Sequence, residues 1–210
     1  MKRIGIIGFG ALGQQILALV APAGQTEVFY FDDALHAKGA ANSVPFDSFL
    51  DTRFADCDFF VGLGYRHLQR RAATIRELAA ARRRTPSWIH PSCQVHPDSR
   101  IGEGCFLYPL CNVGSNVELF DGVLLNNSVV VSHDSQIGTA SYLSPGVVIS
   151  GRVRVGEAAF LGSGTLVADN RRIGPNARIG IGTVVTIDVP AAASAIGNPI
   201  RLLDGPLDLY

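Results

Sequence analysis

Every sixth residue from Ile89 to Val185 is isoleucine, leucine or valine, seventeen positions without a slip in register. A fixed short period has to be read before any other signal, because it decides the whole architecture. Six matches neither the 3.6 of a helix nor the 2.0 of an ordinary strand. It fits a short strand followed by a tight turn, with three such hexads closing one triangular coil of eighteen residues. The residue two places before each aliphatic is small or β-branched at Ser99, Cys105, Val129, Ser141, Ala159 and Ala177. The residue just after it is often glycine, as at Gly102, Gly114, Gly138, Gly156, Gly162, Gly174 and Gly180.

This pattern predicts a parallel β-helix. Coils stacked at the strand-pairing distance of about 4.8 Å would build a prism roughly 25 Å long. The aliphatic and the small residue two before it are expected to face the narrow interior. Gly and Asn at the turns are expected because they accept positive φ. A β-sandwich would not hold a phase of six for so long.

The 210 residues, 47% of them hydrophobic, allow one or two domains with an ample core. Eighteen basic residues balance eighteen acidic ones, so charge gives no reason to expect nucleic acid or an acidic membrane surface as a partner. The apolar run Ile4–Gly8 is short for a signal peptide, and no run approaches a membrane span. A cytoplasmic location is the default expectation. Cys93, Cys105 and Cys111 all occupy the small inward position, where cysteine serves as a small hydrophobe. Cys57 lies outside the repeat and belongs to no motif.

Residues 3–13 read as an apolar strand entering Gly8-x-Gly10-x-x-Gly13. A helix follows over 14–20, then a strand over 26–31 ending in Asp32-Asp33. This is the order of the dinucleotide fingerprint, in which glycines let phosphate approach a helix N-terminus. The space argues against a complete dinucleotide fold. A third strand over 58–64 and a helix over 68–84 already lead to the linker 85–87, so only three strands fit. A mononucleotide or nucleotide-sugar pocket suits that length, as does a small cap without a ligand. The expected division is 1–86 for an α/β N-terminal domain, 87–200 for the all-β prism and 201–210 for a C-terminal tail.

Of the five histidines, His90 and His96 each follow a ruler aliphatic and precede proline, as turn residues do. His36 and His67 have no evident partners. His133 follows Val131 by two, has Asp134 beside it and comes shortly after Asn126. Imidazole titrates near neutrality, as a general base should, and an adjacent carboxylate would orient it. A solvated surface histidine is the competing reading, and these residues alone leave the two about even.

The prism resembles the left-handed β-helix acyltransferases that use acetyl-CoA. With its short Rossmann-like N-domain, the chain resembles the nucleotide-sugar N-acetyltransferases grouped with sialic-acid O-acetyltransferases as the PglD/NeuD type. The stretches that carry the likeness are 30–33, 59–64, 89–92, 126–138, 150–151 and 196–199. The left hand comes from the resemblance, since the general rule for β crossovers gives right.

The resemblance implies direct acetyl transfer from acetyl-CoA, without a metal, to the amine of a UDP- or dTDP-linked 4-amino-deoxysugar. It implies His133 as base, Asp134 as its support and Asn126 as a polar residue of that pocket. It places Gly151 at the thioester carbonyl, with Ser163 and Ile181 along the CoA arm. Gly10, Ala11, Leu12 and Gly64 fall on the nucleotide-sugar loops, and Asp32 and Asp33 on its base. It also implies a homotrimer with active sites between subunits. Three departures touch the substrate side. The loop lacks the histidine often found there, Tyr65-Arg66 replaces a frequent Asn-Asn, and Tyr142 stands where the bacillosamine enzyme has a second histidine touching acetyl-CoA. A sugar O-acetyltransferase is the near variant. An NAD-dependent oxidoreductase, a zinc enzyme (which needs three converging histidines) and a catalytically silent scaffold are the more distant ones.

Overall fold

A computed structural model describes residues 2–21 and 26–207. Met1 and residues 22–25 of the expected first domain, and the last three residues of the expected tail, lie outside the described residues. Contacts divide the chain into two units, Met1–Pro86 and Ser87–Tyr210.

The first unit is built on one parallel sheet. Strand β1 (Lys2–Ile7) leads through the glycine turn into helix α1 (Ala11–Val20). Then come β2 (Thr26–Phe31), the short helix α2 (Asp33–Ala37), β3 (Ser43–Val44), β4 (Asp58–Val61) and α3 (Leu68–Ala80). The order is β3-β2-β1-β4, all parallel. Strand β1 lies between β2 and β4, and its Ile4, Ile6 and Ile7 are fully buried. The glycines have separate jobs. Gly8 takes φ +81°, which glycine alone adopts freely. A Cβ on Gly13 would sit 2.2 Å from the Gly8 carbonyl oxygen, so only glycine lets α1 pack this close.

Two expectations for this unit need correction. There are four strands instead of three, because Ser43–Val44 pairs beside Tyr30–Phe31; two residues are too few to show a period. The third helix stops at Ala80 and not at Arg84. Arg82 turns to φ +52°, and the Arg84 carbonyl then accepts from Phe59 N–H at 2.8 Å beside β4.

In the second unit the six-residue ruler becomes three parallel ladders of two-residue strands. The first ladder runs 100–101, 118–119, 136–137, 154–155 and 172–173. The second starts at Trp88–Ile89 and the third at Gln94–Val95. Each strand pairs with the one eighteen residues on, as Leu119 does with Ile137. Leu107, Leu125, Val131, Ile137, Leu143 and Ile149 are all fully buried in one continuous core. The small position is also inside. Ser99, Ser141 and Thr183 bond carbonyls there at 2.7–2.8 Å, and the sulfurs of Cys105 and Cys111 approach carbonyls in the same way, at 3.1 and 3.2 Å. Among the described residues no helix is long and apolar enough to cross a membrane.

The ruler fails at its ends. Ile89 is 41% exposed, and Val95 and Ile101 are only partly buried, because the first coil has no earlier coil to stack on. After Val185 the register shortens by two, so that Ile173 meets Val189 and Ile179 meets Ala195. Arg201–Leu203 folds back antiparallel on Ser194–Ile196, so part of the expected tail is an edge strand. The glycines after the aliphatics are not the positive-φ residues. That conformation falls two places later, at Leu110, Asn116, Ser128, Asp134, Ala140 and Arg152 among others. The glycines answer to crowding instead, since a Cβ on Gly156 would lie 2.4 Å from the backbone nitrogen of Pro175 in the next coil.

Ile137→Asp tests the inward assignment. An unpaired carboxylate in a dry stack costs several kcal/mol, against a total stability of about 5–15 kcal/mol. The expected outcome is no folded soluble protein; normal yield with an unchanged melting temperature would refute the assignment.

Candidate functional site

Equivalent turn positions of successive coils stack, so residues eighteen apart in sequence are neighbours. Where the third ladder gives way to the first, Ser115, His133, Gly151 and Asp169 form one column. Asn116, Asp134, Arg152 and Asn170 form the next, each at φ between 54° and 59°. Backbone bonds lock the columns: Asp134 N–H to the Ser115 carbonyl at 3.0 Å, Arg152 N–H to that of His133 at 2.9 Å, and Asn170 N–H to that of Gly151 at 2.9 Å. Ser135, buried just inside, donates to the Ser150 carbonyl at 3.0 Å and accepts from Val153 N–H at 3.1 Å. The corner is therefore rigid although its outer side chains are about half exposed.

His133 Nδ1 lies 2.8 Å from Asp134 Oδ2, and Asn116 Nδ2 donates to Asp134 Oδ1 at 3.2 Å. These two bonds, the histidine's first, hold the Asp134 carboxyl below its ordinary range, with Arg152 adding to the effect. An ionised carboxylate only accepts, so Nδ1 carries the hydrogen and Nε2 presents its lone pair. The Cε1–Nε2 side of the ring faces Gly151: a Cβ there would sit 2.6 Å from each of those two atoms and 2.8 Å from Asp169 Oδ1. Glycine is the one residue that leaves this space open. The coil-to-coil ladder uses Ser150 N–H and Arg152 N–H on either side of it. Arg152 pairs with Asp169 Oδ2.

The structure thus groups His133, Asp134 and Gly151. Sequence reading missed Asn116, Asp169 and Arg152, which a search at spacing eighteen from His133, Asp134 and Gly151 would have reached. Asn126, Tyr142, Ser163 and Ile181 are not brought to His133 within one chain. They lie along the second ladder and the corner that follows it. There Asn126 Nδ2 approaches Tyr142 Oη at 3.3 Å, Ser163 is exposed, and Ile181 is an exposed apolar side chain.

In the first unit, Gly10, Asp32 and Gly64 follow the C-terminal ends of β1, β2 and β4, the edge where open parallel sheets take ligands. Gly10 is the N-cap of α1, with open space where a Cβ would be. Ala11 is exposed, while Leu12 is buried and offers only backbone outward. Asp32 has a structural job: Oδ2 accepts from Phe9 N–H and Oδ1 from Leu35 N–H, both at 2.9 Å. Asp33 accepts from Phe46 N–H at 2.8 Å. Buried Arg71 donates to the carbonyls of Val61 and Leu63, fixing the approach to Gly64.

His90, His96 and the buried thiols have local roles. His90 Nδ1 lies 2.7 Å from Ser92 Oγ, and His96 Nδ1 accepts from Asp98 N–H at 3.3 Å, both closing turns. Burial pushes the Cys111 thiol up to about 12 and raises that of Cys57 as well. A thiol held protonated is a poor nucleophile. Among the described residues no three His, Cys, Asp or Glu side chains group to hold a metal ion.

Two measurements follow. In Asn116→Ala the Asp134 carboxyl loses a donor that favours its charged form, so its titration midpoint, followed by carbon NMR, should rise toward the ordinary value. An unmoved midpoint would show that the Asn116 contact is idle. Replacing Cys93, Cys105 and Cys111 together by alanine should cost roughly 0.5–1.5 kcal/mol per site, as for other small deletions from cores. Turnover should stay within a few-fold; a folded but dead triple variant would indicate a thiol mechanism.

No protein-family model and no curated protein matches the sequence. Solved structures do. The acetyltransferase domain of PglB from Neisseria gonorrhoeae FA1090, in complex with acetyl coenzyme A, is 27% identical with a TM-score of 0.82, covering 96% of this chain and 99% of that one. PerB from Caulobacter crescentus, in complex with CoA and GDP-perosamine, is also 27% identical at a TM-score of 0.82, covering 97% of each chain. A variant of the perosamine N-acetyltransferase from the same organism, with one histidine changed to asparagine, is 28% identical at 0.83 over 98% of each chain. In fold and along nearly its whole length, the chain is similar to these hexapeptide-repeat β-helix acetyltransferases.

Proposed function

We propose that this protein transfers an acetyl group from acetyl-CoA to the amine of a nucleotide-linked amino-deoxysugar, with His133 as general base. The observation that carries the reading is the His133–Asp134 pair poised over the open backbone of Gly151, in a chain similar throughout to acetyltransferases solved with acetyl-CoA or with CoA and a GDP-sugar. A histidine is also the residue replaced in the perosamine enzyme's variant.

In this reaction the amine nitrogen attacks the thioester carbonyl. The new C–N bond forms, the C–S bond breaks, and one amine proton passes to His133 Nε2 and from there to the departing thiolate. Gly151 N–H, outside the ladder, donates to the developing oxyanion. No acyl-enzyme is required, in keeping with thiols that are buried and bonded to carbonyls. Residues 1–86 act as a Rossmann-like holder for the nucleotide through Gly10, Ala11, the backbone of Leu12, Asp32, Asp33 and Gly64. Residues 87–200 form a left-handed β-helix that carries the chemistry.

The site residues occupy two different corners, so in this reading the active site is completed in a homotrimer. The His133 corner of one subunit faces the Asn126, Tyr142, Ser163 and Ile181 wall of the next, where CoA lies. An exposed Ile181 suits such an apolar contact. The enzyme would work in the cytoplasm, where nucleotide sugars and acetyl-CoA are both at hand.

A thermal-shift screen of UDP-, dTDP- and GDP-linked amino-sugars with and without CoA identifies the ligand pair, since ligands of the folded state raise its stability. His133→Ala should keep its fold and CoA affinity, and lose about 10²–10⁴-fold in turnover, the usual contribution of a general base. Full activity in that variant would remove His133 from the mechanism.

A further inference from the structure

The space in front of Gly151 is bounded by the Cε1–Nε2 side of His133 and by the acceptor Asp169 Oδ1. The point where a Cβ would lie is 2.6 Å from His133 Nε2 and 2.8 Å from Asp169 Oδ1, so these two atoms are no more than 5.4 Å apart, the sum of those distances. Arg152 holds the other oxygen, Oδ2, which leaves Oδ1 toward the open space. Two acceptors that share one tetrahedral nitrogen, each at about 2.9 Å, stand about 4.7 Å apart. A separation of at most 5.4 Å is therefore one that a single nitrogen can bridge. We infer that Asp169 is a specificity-determining residue that makes this site select an amine acceptor over a hydroxyl; the inference rests on the acetyl-transfer reading above.

The electron count of the acceptor decides the matter. A neutral primary amine has two N–H bonds, one bond to the sugar and one lone pair. With one hydrogen on His133 Nε2 and the other on Asp169 Oδ1, its lone pair is left for the thioester carbon. As the C–N bond forms and the C–S bond breaks, the first hydrogen leaves as a proton to His133. The second stays on nitrogen, becomes the amide N–H of the product, and remains bonded to Asp169. A hydroxyl has only one hydrogen. Given to His133, it leaves an oxygen lone pair turned toward a carboxylate, an arrangement with no donor between two acceptors. Asp169 thus favours the amine and penalises the hydroxyl with the same oxygen.

Asp169 has a side chain that is 46% exposed, so its replacement should not unfold the coil. The test compares wild type, Asp169→Ala and Asp169→Asn on nucleotide-linked 4-amino-4,6-dideoxysugars in their UDP, dTDP and GDP forms, and on the same compounds with a hydroxyl at C4. CoA affinity is measured by calorimetry. Loss of one hydrogen bond to a charged acceptor should lower kcat/KM for the amine by about 10- to 100-fold in Asp169→Ala. Hydroxyl turnover should stay at or above the wild-type level, and CoA affinity should not change. Asp169→Asn should recover part of the amine rate, because its carbonyl oxygen still accepts. Equal losses on both acceptors, or an unchanged preference in an active enzyme, would overturn the role given to Asp169 while leaving acetyl transfer standing. A wild type that acetylates none of the amines would overturn both.

Discussion

The hydrogen bonds between successive coils are what the rest of this molecule depends on. Each coil donates to the next through a ladder with a spacing of eighteen, and Leu119 opposite Ile137 and Val131 opposite Ile149 are rungs of it. With strands only two residues long, no coil could stand alone. Its neighbours satisfy its backbone and cover its aliphatics at once. The same lock makes a functional surface possible. Side chains distant in sequence are held at fixed separations along a column by backbone geometry alone, and a constellation on such a scaffold needs little further support.

The ladder also imposes conformations that single residues would avoid. Leu110, Ala140, Arg152 and Ala158 all sit at positive φ, at a cost of order 1–2 kcal/mol each. They persist because the bonds on either side leave no alternative. Asp134 is better suited to its place, since aspartate enters this region more readily than most residues. At φ 59° its carboxylate lies beside the preceding imidazole. The pairing of His133 with Asp134 is thus a product of the turn as much as of the two side chains.

That explains what was legible in the sequence. The ruler revealed the coils, their interior and the corner on which His133 stands. Adjacency revealed Asp134. It did not reveal Asn116 or Asp169, because neighbours across coils are visible only once the register of eighteen is applied to polar residues too. The constraint on the glycines after the aliphatics is the backbone of the neighbouring coil, which no local pattern shows. In the first unit the glycine fingerprint marked the end of β1 correctly. It could not say that both oxygens of Asp32 are engaged by Phe9 N–H and Leu35 N–H.

The electrostatics of the corner follow from the same columns. Asp134 is held below the ordinary carboxylate range by His133, then by Asn116, with Arg152 contributing at longer range. A group with a depressed folded pKa lends stability that is present above its unfolded pKa and lost as pH falls through the folded one. Asp134 is exposed, so this adds little to global stability. Its consequence is local. Because Asp134 stays ionised into more acidic solution than a free aspartate would, Nδ1 of His133 keeps a partner that can only accept. An ionised Asp134 can only accept, so the hydrogen of a neutral His133 sits on Nδ1 and the lone pair on Nε2. A donor at Asn116 and a cation at Arg152, one coil to either side, thus help to keep charged the carboxylate that holds His133 Nδ1.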